Sequence, residues 1–245
     1  MDRRGPGSRL SPGVVYILVA GLFFTLMNLG VKVLDRIPVH EIVLFRAGVT
    51  LVAGYVMLRL RRVHPWGNHK PLLLARGAAG TVALVSYFYT LHAMPLSTAV
   101  TVQHLSPIFT ILISSLLLRE GTRPIQWLLF VVLIKGFDPR VTAGELAVCI
   151  NAALFSGLAY NLVRKLREHD APLVVVFYFP LVTVPVVGSY SALHWVWPRG
   201  VEWLILVGVG LATTVAQVYL TLAYQADRAA NISIFNYLGM VYAVV

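Results

Sequence analysis

Apolar stretches of about twenty residues, parted by short polar loops, run the length of the chain: 13–34, 40–60, 71–92, 97–118, 142–163, 172–193 and 201–224, with one more apolar run at 229–245. A hydrocarbon core of ~30 Å takes a helix of about 20 residues to cross. Within that core every backbone N–H and C=O has to be bonded inside the segment, which leaves each stretch one solution, an α-helix. Composition agrees: 58% of the 245 residues are hydrophobic and 12% are charged, where soluble domains carry roughly 25% charged residues. A soluble fold of this size could not cover its apolar surface with so few polar groups. A soluble globular domain, a disordered chain and a disulfide-rich module are thereby excluded. The sequence predicts an all-α polytopic membrane protein with the lipid bilayer as its first partner.

The segment 125–134, between Pro124 and Lys135, has only about half the length of a straight crossing. It reads as an unusually short fifth span or a re-entrant piece. The tail 1–12 is basic and rich in Gly and Pro. The apolar run behind it is too long for a signal peptide and lacks the small-residue cleavage site, so it predicts a retained helix. A net charge of +10 would suggest nucleic acid in a soluble protein. Here the basic residues sit in loops and form no stripe, so no nucleic-acid partner is expected. With 125–134 counted as a crossing, Arg3, Arg4, Arg9, Arg59, Arg61, Arg62, Arg164, Lys165 and Arg167 are among the bases on the N-terminal side. Lys32, Arg36, Lys135, Arg140 and Arg199 lie opposite. That bias predicts a cytoplasmic N-terminus, in the plasma (inner) membrane. Trp195, Trp197 and Trp203 cluster on the outer side as interface anchors. The single cysteine, Cys149, allows no internal disulfide and reads as a small buried hydrophobe.

The chain repeats itself. A shift of 132 carries Ala20, Leu22, Phe23, Leu26, Val31 and Leu34 onto Ala152, Leu154, Phe155, Leu158, Val163 and Leu166. A shift of 131 carries Thr90, Leu91 and Ala99 onto Thr221, Leu222 and Ala230. A repeat of about 131 residues holds five spans, and an odd number inserts the two halves in opposite orientations. Such an inverted repeat is the arrangement of secondary transporters, whose site lies near the midplane between the halves. The predicted division is a tail at 1–12, a first half at 13–137 and a second at 138–245. In this register residue 245 corresponds to Ser114, inside span four, so the second half is expected to be incomplete, with about nine of ten helices in all.

Ionisable groups inside a span are costly and are candidates for function by default. His104 and Gln103 lie in span four just before Pro107, a proline expected to bend the helix. His104 is either a cavity wall and proton-coupling group or a neutral histidine bonded across a helix interface. Arg46 in span two and Arg76 in span three either snorkel to headgroups or face a cavity and pair with an anionic group of a substrate. Glu41 and Glu120, at span ends, read as solvated. The neutral candidates are Asn28, Tyr87, Tyr89, Tyr160, Asn161, Tyr178, Gln217, Asn236 and Tyr237. In the 132 register Asn28 falls on Tyr160 and Leu29 on Asn161. Recurring polar positions fit a cavity shared by the halves, or hydrogen bonds between helices. Gly77, Gly208 and Ala212 suit close helix packing.

Enzyme signatures do not emerge. His40-Glu41-Ile42-Val43-Leu44 begins like a zinc-protease motif but ends on Leu44, and Gly208-Val209-Gly210 lacks the third glycine of a dinucleotide loop. No phosphate loop is present, no cofactor or metal is expected, and the chain is not expected to be an enzyme. The sequon Asn231-Ile232-Ser233 lies at the start of an apolar run and is discounted.

The residues Val43-Leu44-Phe45-Arg46, Arg76-Gly77-Ala78-Ala79-Gly80, Met94-Pro95-Leu96-Ser97-Thr98-Ala99, Leu105-Ser106-Pro107-Ile108-Phe109 and Leu118-Arg119-Glu120 follow one another through the first half. Ala152-Ala153-Leu154-Phe155 and Phe177-Tyr178-Phe179-Pro180 follow in the second. In this order and spacing the chain resembles the EamA-like members of the drug/metabolite transporter superfamily. That resemblance implies two EamA-like five-helix halves, cytoplasmic termini and a central cavity for small metabolites or drugs. It also implies that helices five and ten serve pairing of protomers, which leaves a homodimer open. The expected function is a secondary-active transporter, in the direction of export, working by alternating access. The rival expectation is a partial or degenerate membrane protein of the same family that does not transport.

Overall fold

The structure, a computed structural model, describes residues 11–93, 105–117, 142–228 and 232. Among these residues every regular element is an α-helix: α1 (Pro12–Val33), α2 (Val39–Leu60), α3 (Lys70–Ala93), α4 (Ser106–Leu117), α5 (Ala143–Leu166), α6 (Pro172–Ser191) and α7 (Glu202–Ala226). Five of them, α1, α2, α5, α6 and α7, are long and apolar enough to cross a membrane. The expected span at 125–134, the division at 137/138 and, apart from Ile232, the run at 229–245 lie outside the described residues.

Local chemistry sets the helix ends. Ser11 caps α1 by accepting the N–H of Val14, with Pro12 in the first turn, where a missing N–H costs nothing. Thr142 and Glu145 close a reciprocal capping box on α5. Pro107 stands second in α4, and Leu105 accepts the N–H groups of Ile108 and Phe109. The proline thus stands in the first turn of α4, where its missing N–H costs nothing; the part of span four that precedes Leu105 lies outside the described residues.

Packing follows a regular exchange. α1 packs mainly on α7 and α3 on α5, while α2 meets α6 and α7, and α6 meets α2 and α3. α1 and α7 run antiparallel, with Gly13 against Ala223 and Asp227 and Gly30 against Val209. One contact is built twice. On α7, Gly210 leaves room for Val49 of α2, and the hydroxyls of Thr50 and Thr214 lie 3.0 Å apart. On α3, Gly77 leaves room for Val182 of α6, and the hydroxyls of Thr81 and Thr183 lie 2.8 Å apart. A shift of 133 turns Val49, Thr50, Gly77 and Thr81 into Val182, Thr183, Gly210 and Thr214. Gly208, by contrast, faces open space, because two residues along a helix is nearly the opposite face.

The bundle ends are tied by two buried carboxylates. Asp170, before α6, accepts the N–H of Asn68 at 2.5 Å and of His69 at 3.1 Å, in the loop before α3. Glu41, at the start of α2, is fully buried and accepts the N–H of Val196 in the loop before α7. The solvated reading of Glu41 is therefore corrected: the 192–201 loop folds over it and supplies the donor. At that end Arg36 forms an ion pair with Glu202 and donates to the carbonyl of Trp197. The Glu202 hydrogen bond raises the Arg36 pKa above its ordinary value. Trp195 and Trp203 pack on Phe45, with ring centroids 5.7 and 5.3 Å away.

Candidate functional site: a cavity with two buried arginines

Six of the seven helices contribute to a cavity of about 140 Å³ inside the bundle. α1 supplies Phe24 and α2 Arg46, while α3 supplies Arg76, Gly80 and Tyr87. Ser156 and Tyr160 come from α5, Phe179 from α6 and Gln217 from α7. Wider hollows exist, one of about 510 Å³ bordered by His40, Tyr89 and Tyr190 and several valines, but no arginine, lysine or carboxylate is among their described lining residues. The central cavity is the chemically specific one.

Arg76 is 3% exposed and Arg46 6%. The Arg76 guanidinium lies over the Phe179 ring, 4.6 Å from its centroid, and its Nη2 donates to Gln217 Oε1 at a long 3.5 Å. Its Nε and Nη1 have no hydrogen-bond partner among the described residues. At Gly80 an added Cβ would come within 2.9 Å of both Arg76 Nη1 and the Phe179 ring, so glycine is what leaves this guanidinium its place. Arg46 forms no hydrogen bond or ion pair among the described residues. No Asp or Glu is among the described residues that line the cavity. A charged side chain deep in a bilayer costs roughly 2.5–3.5 kcal/mol on insertion scales, and such residues generally pair with one another or with backbone carbonyls. Two guanidiniums held without an acid are a feature that stability does not account for.

The structure thus brings Arg46, Arg76, Tyr87, Tyr160 and Gln217 to one cavity. Tyr160 is fixed there by stacking on Tyr224, with centroids 4.8 Å apart and planes 10° from parallel. Other candidates are placed elsewhere. Asn161 is buried between helices, where its Nδ2 donates to the carbonyls of Thr110 and Gly157. Tyr178 donates to the carbonyl of Trp66 at the end of the bundle. Asn28 stands on an exposed face of α1. In the 133 register it corresponds to Asn161 and not to Tyr160, and neither asparagine is among the described residues that line the cavity. Tyr89 is 57% exposed beside the wider hollow. Gln103, His104, Asn236, Tyr237 and Glu120 lie outside the described residues. Ser156, Phe179 and Gly80 were not singled out by sequence as cavity residues. A small or apolar residue in a membrane helix carries no local mark of the cavity it borders.

An apolar helical bundle around a small cavity bordered by two arginines is an arrangement that membrane transport proteins use. Residues 11–137 match the EamA-like transporter family. The chain is 32% identical to the pseudopaline exporter of Pseudomonas aeruginosa (strain UCBPP-PA14) over 95% of its own length and 85% of that protein. It is 25% identical to the riboflavin transporter of Vibrio cholerae over 92% of its length and 80% of that protein. A solved crystal structure with 18% identity superposes with a TM-score of 0.79, covering 95% of this chain and 88% of the other, and shows the same fold. The chain belongs to the EamA-like transporter family. It is a membrane transporter of small metabolites.

Proposed function

We propose that this chain exports a small organic metabolite by alternating access, with the cavity between α1, α2, α3, α5, α6 and α7 as its substrate site. The observation that carries the reading is Arg76, buried at the cavity wall with Nε and Nη1 unpartnered. A polar group kept in this state at the centre of a transporter bundle is held for something that arrives. The halves act as an inverted repeat in this reading. Support comes from the contact that recurs after 133 residues, joining α2 to α7 once and α6 to α3 once. Export is favoured by the likeness to an exporter over 95% of the chain. The bias of Lys and Arg toward the N-terminal side supports a cytoplasmic N-terminus in the inner membrane.

The test is untargeted metabolite profiling of medium and cytoplasm from cells expressing the chain, against an empty vector and an Ala83→Phe variant that fills the cavity from α3, where Ala83 is a buried lining residue, with insertion confirmed by membrane fractionation. Accumulation of one solute class in the medium with the native chain alone supports the proposal. Equal profiles in all three would overturn it and favour a chain that inserts without transporting.

A further inference from the structure

We infer that the cavity is a seat for an organic anion, carried by a carboxylate-bearing metabolite whose charge lies between Arg46 and Arg76. This rests on the reading of the cavity as the transport site and adds the chemical class of what enters it. Arg46 of α2 and Arg76 of α3 both border the cavity, both are almost wholly buried, and no acidic side chain is among its described lining residues. Guanidinium groups keep their charge in proteins and match carboxylate oxygens with a planar set of donors. In the drier interior such pairing is stronger than in water.

The surrounding groups are those an anion needs. Phe179 covers one face of Arg76 and Gly80 leaves its Nη1 clear, which orients the guanidinium without using Nε or Nη1. Gln217 Oε1 accepts from the third nitrogen, and Gln217 itself borders the same space. A cation would meet two like charges here and no carboxylate. A neutral solute would leave both charges as they are. Pockets for drug-sized ligands run to about 300–1,000 Å³, so about 140 Å³ admits an anionic head group or a small acid and not a bulky molecule whole.

The experiment is thermal unfolding of the purified full chain in detergent at constant ionic strength, titrated with succinate, citrate, inorganic phosphate, glucose or putrescine. The variants are Arg46→Gln, Arg76→Gln, Arg76→Lys and, as a control on an exposed loop, Arg61→Gln. Succinate or citrate is expected to raise the native midpoint saturably, with half-saturation at least tenfold weaker in Arg46→Gln and Arg76→Gln and unchanged in Arg61→Gln. Arg76→Lys should recover part of the response. Without ligand, neither glutamine variant should melt lower than the native chain, since each removes a charge with no acidic partner among the described cavity residues.

A response to phosphate alone overturns the carboxylate assignment. A response to putrescine or glucose alone, no saturable response to any probe, or equal responses in native and Arg76→Gln chains overturns the anion seat itself. A drop in the ligand-free midpoint of both glutamine variants assigns the arginines to the fold and also overturns it. Transport is judged separately: if cells expressing Arg76→Gln still export the solute found by profiling at the native rate, the anion seat fails while transport through the bundle stands.

Discussion

Thr50 on α2 and Thr214 on α7 place their hydroxyls 3.0 Å apart inside the bundle, and the pair recurs as Thr183 on α6 and Thr81 on α3 at 2.8 Å. Three of these threonines, Thr81, Thr183 and Thr214, also bond the carbonyl four residues back on their own helix. Equivalent bonds in equivalent packing should contribute equally. Thr81→Val and Thr214→Val, equivalent in the 133 register, are each expected to cost about 0.6 kcal/mol, the average for such bonds in membranes, and to match one another. Unfolding titrations in mixed micelles check this. A cost confined to one of the two would mean the contacts are not equivalent.

Asp170 ties the loop before α3 to the start of α6 through two backbone N–H groups. Hydrogen bonds to a charged group contribute about 1.5–3 kcal/mol, and a buried donor left bare costs a comparable amount. Asp170→Ala should lower stability by about that much and raise protease cleavage within 61–69, with Asp170→Asn intermediate. Unchanged cleavage in both variants would show that the loop is held by other contacts.

Gly80 and Gly208 predict opposite responses to one methyl group. At Gly80 the methyl meets Arg76 and Phe179, whereas at Gly208 it meets nothing within 4 Å. Overpacking costs about 1–3 kcal/mol, so Gly80→Ala should destabilise the protein by that order and impair export. Gly208→Ala should be neutral or stabilise by up to about 1 kcal/mol through helix propensity. Paired thermal melts and flux measurements give the comparison.

Arg46→Ala should leave the amount of inserted protein unchanged and reduce export at least about tenfold, equivalent to ~1.4 kcal/mol of lost substrate interaction. Quantitative blotting of membranes beside efflux rates separates the two effects. Native flux in this variant would remove Arg46 from the site.

Arg46 and Arg76 were legible as candidates because a charge inside a span is conspicuous in any register. Tyr160 and Gln217 could be named among the polar residues but not separated from Asn28, Asn161 and Tyr178. Glu41 shows why: its surroundings come from Val196, 155 residues away, and its position at a span end suggested water. Register was legible only roughly, since shifts of 131 and 132 matched scattered apolar residues. The packed threonines and glycines follow 133.

What the sequence determined by itself is the run of membrane helices. Helix formation is a local matter, and in hydrocarbon each segment must satisfy its own backbone whatever its neighbours do. Which face of each helix turns inward was decided by the tertiary structure. Lipid tails are as apolar as the side chains of the bundle, so apolar residues surround a membrane helix and give little sign of its inner face. Small residues such as Gly80 and Gly210, and the helices they let approach, set that face and with it the cavity between Arg46 and Arg76.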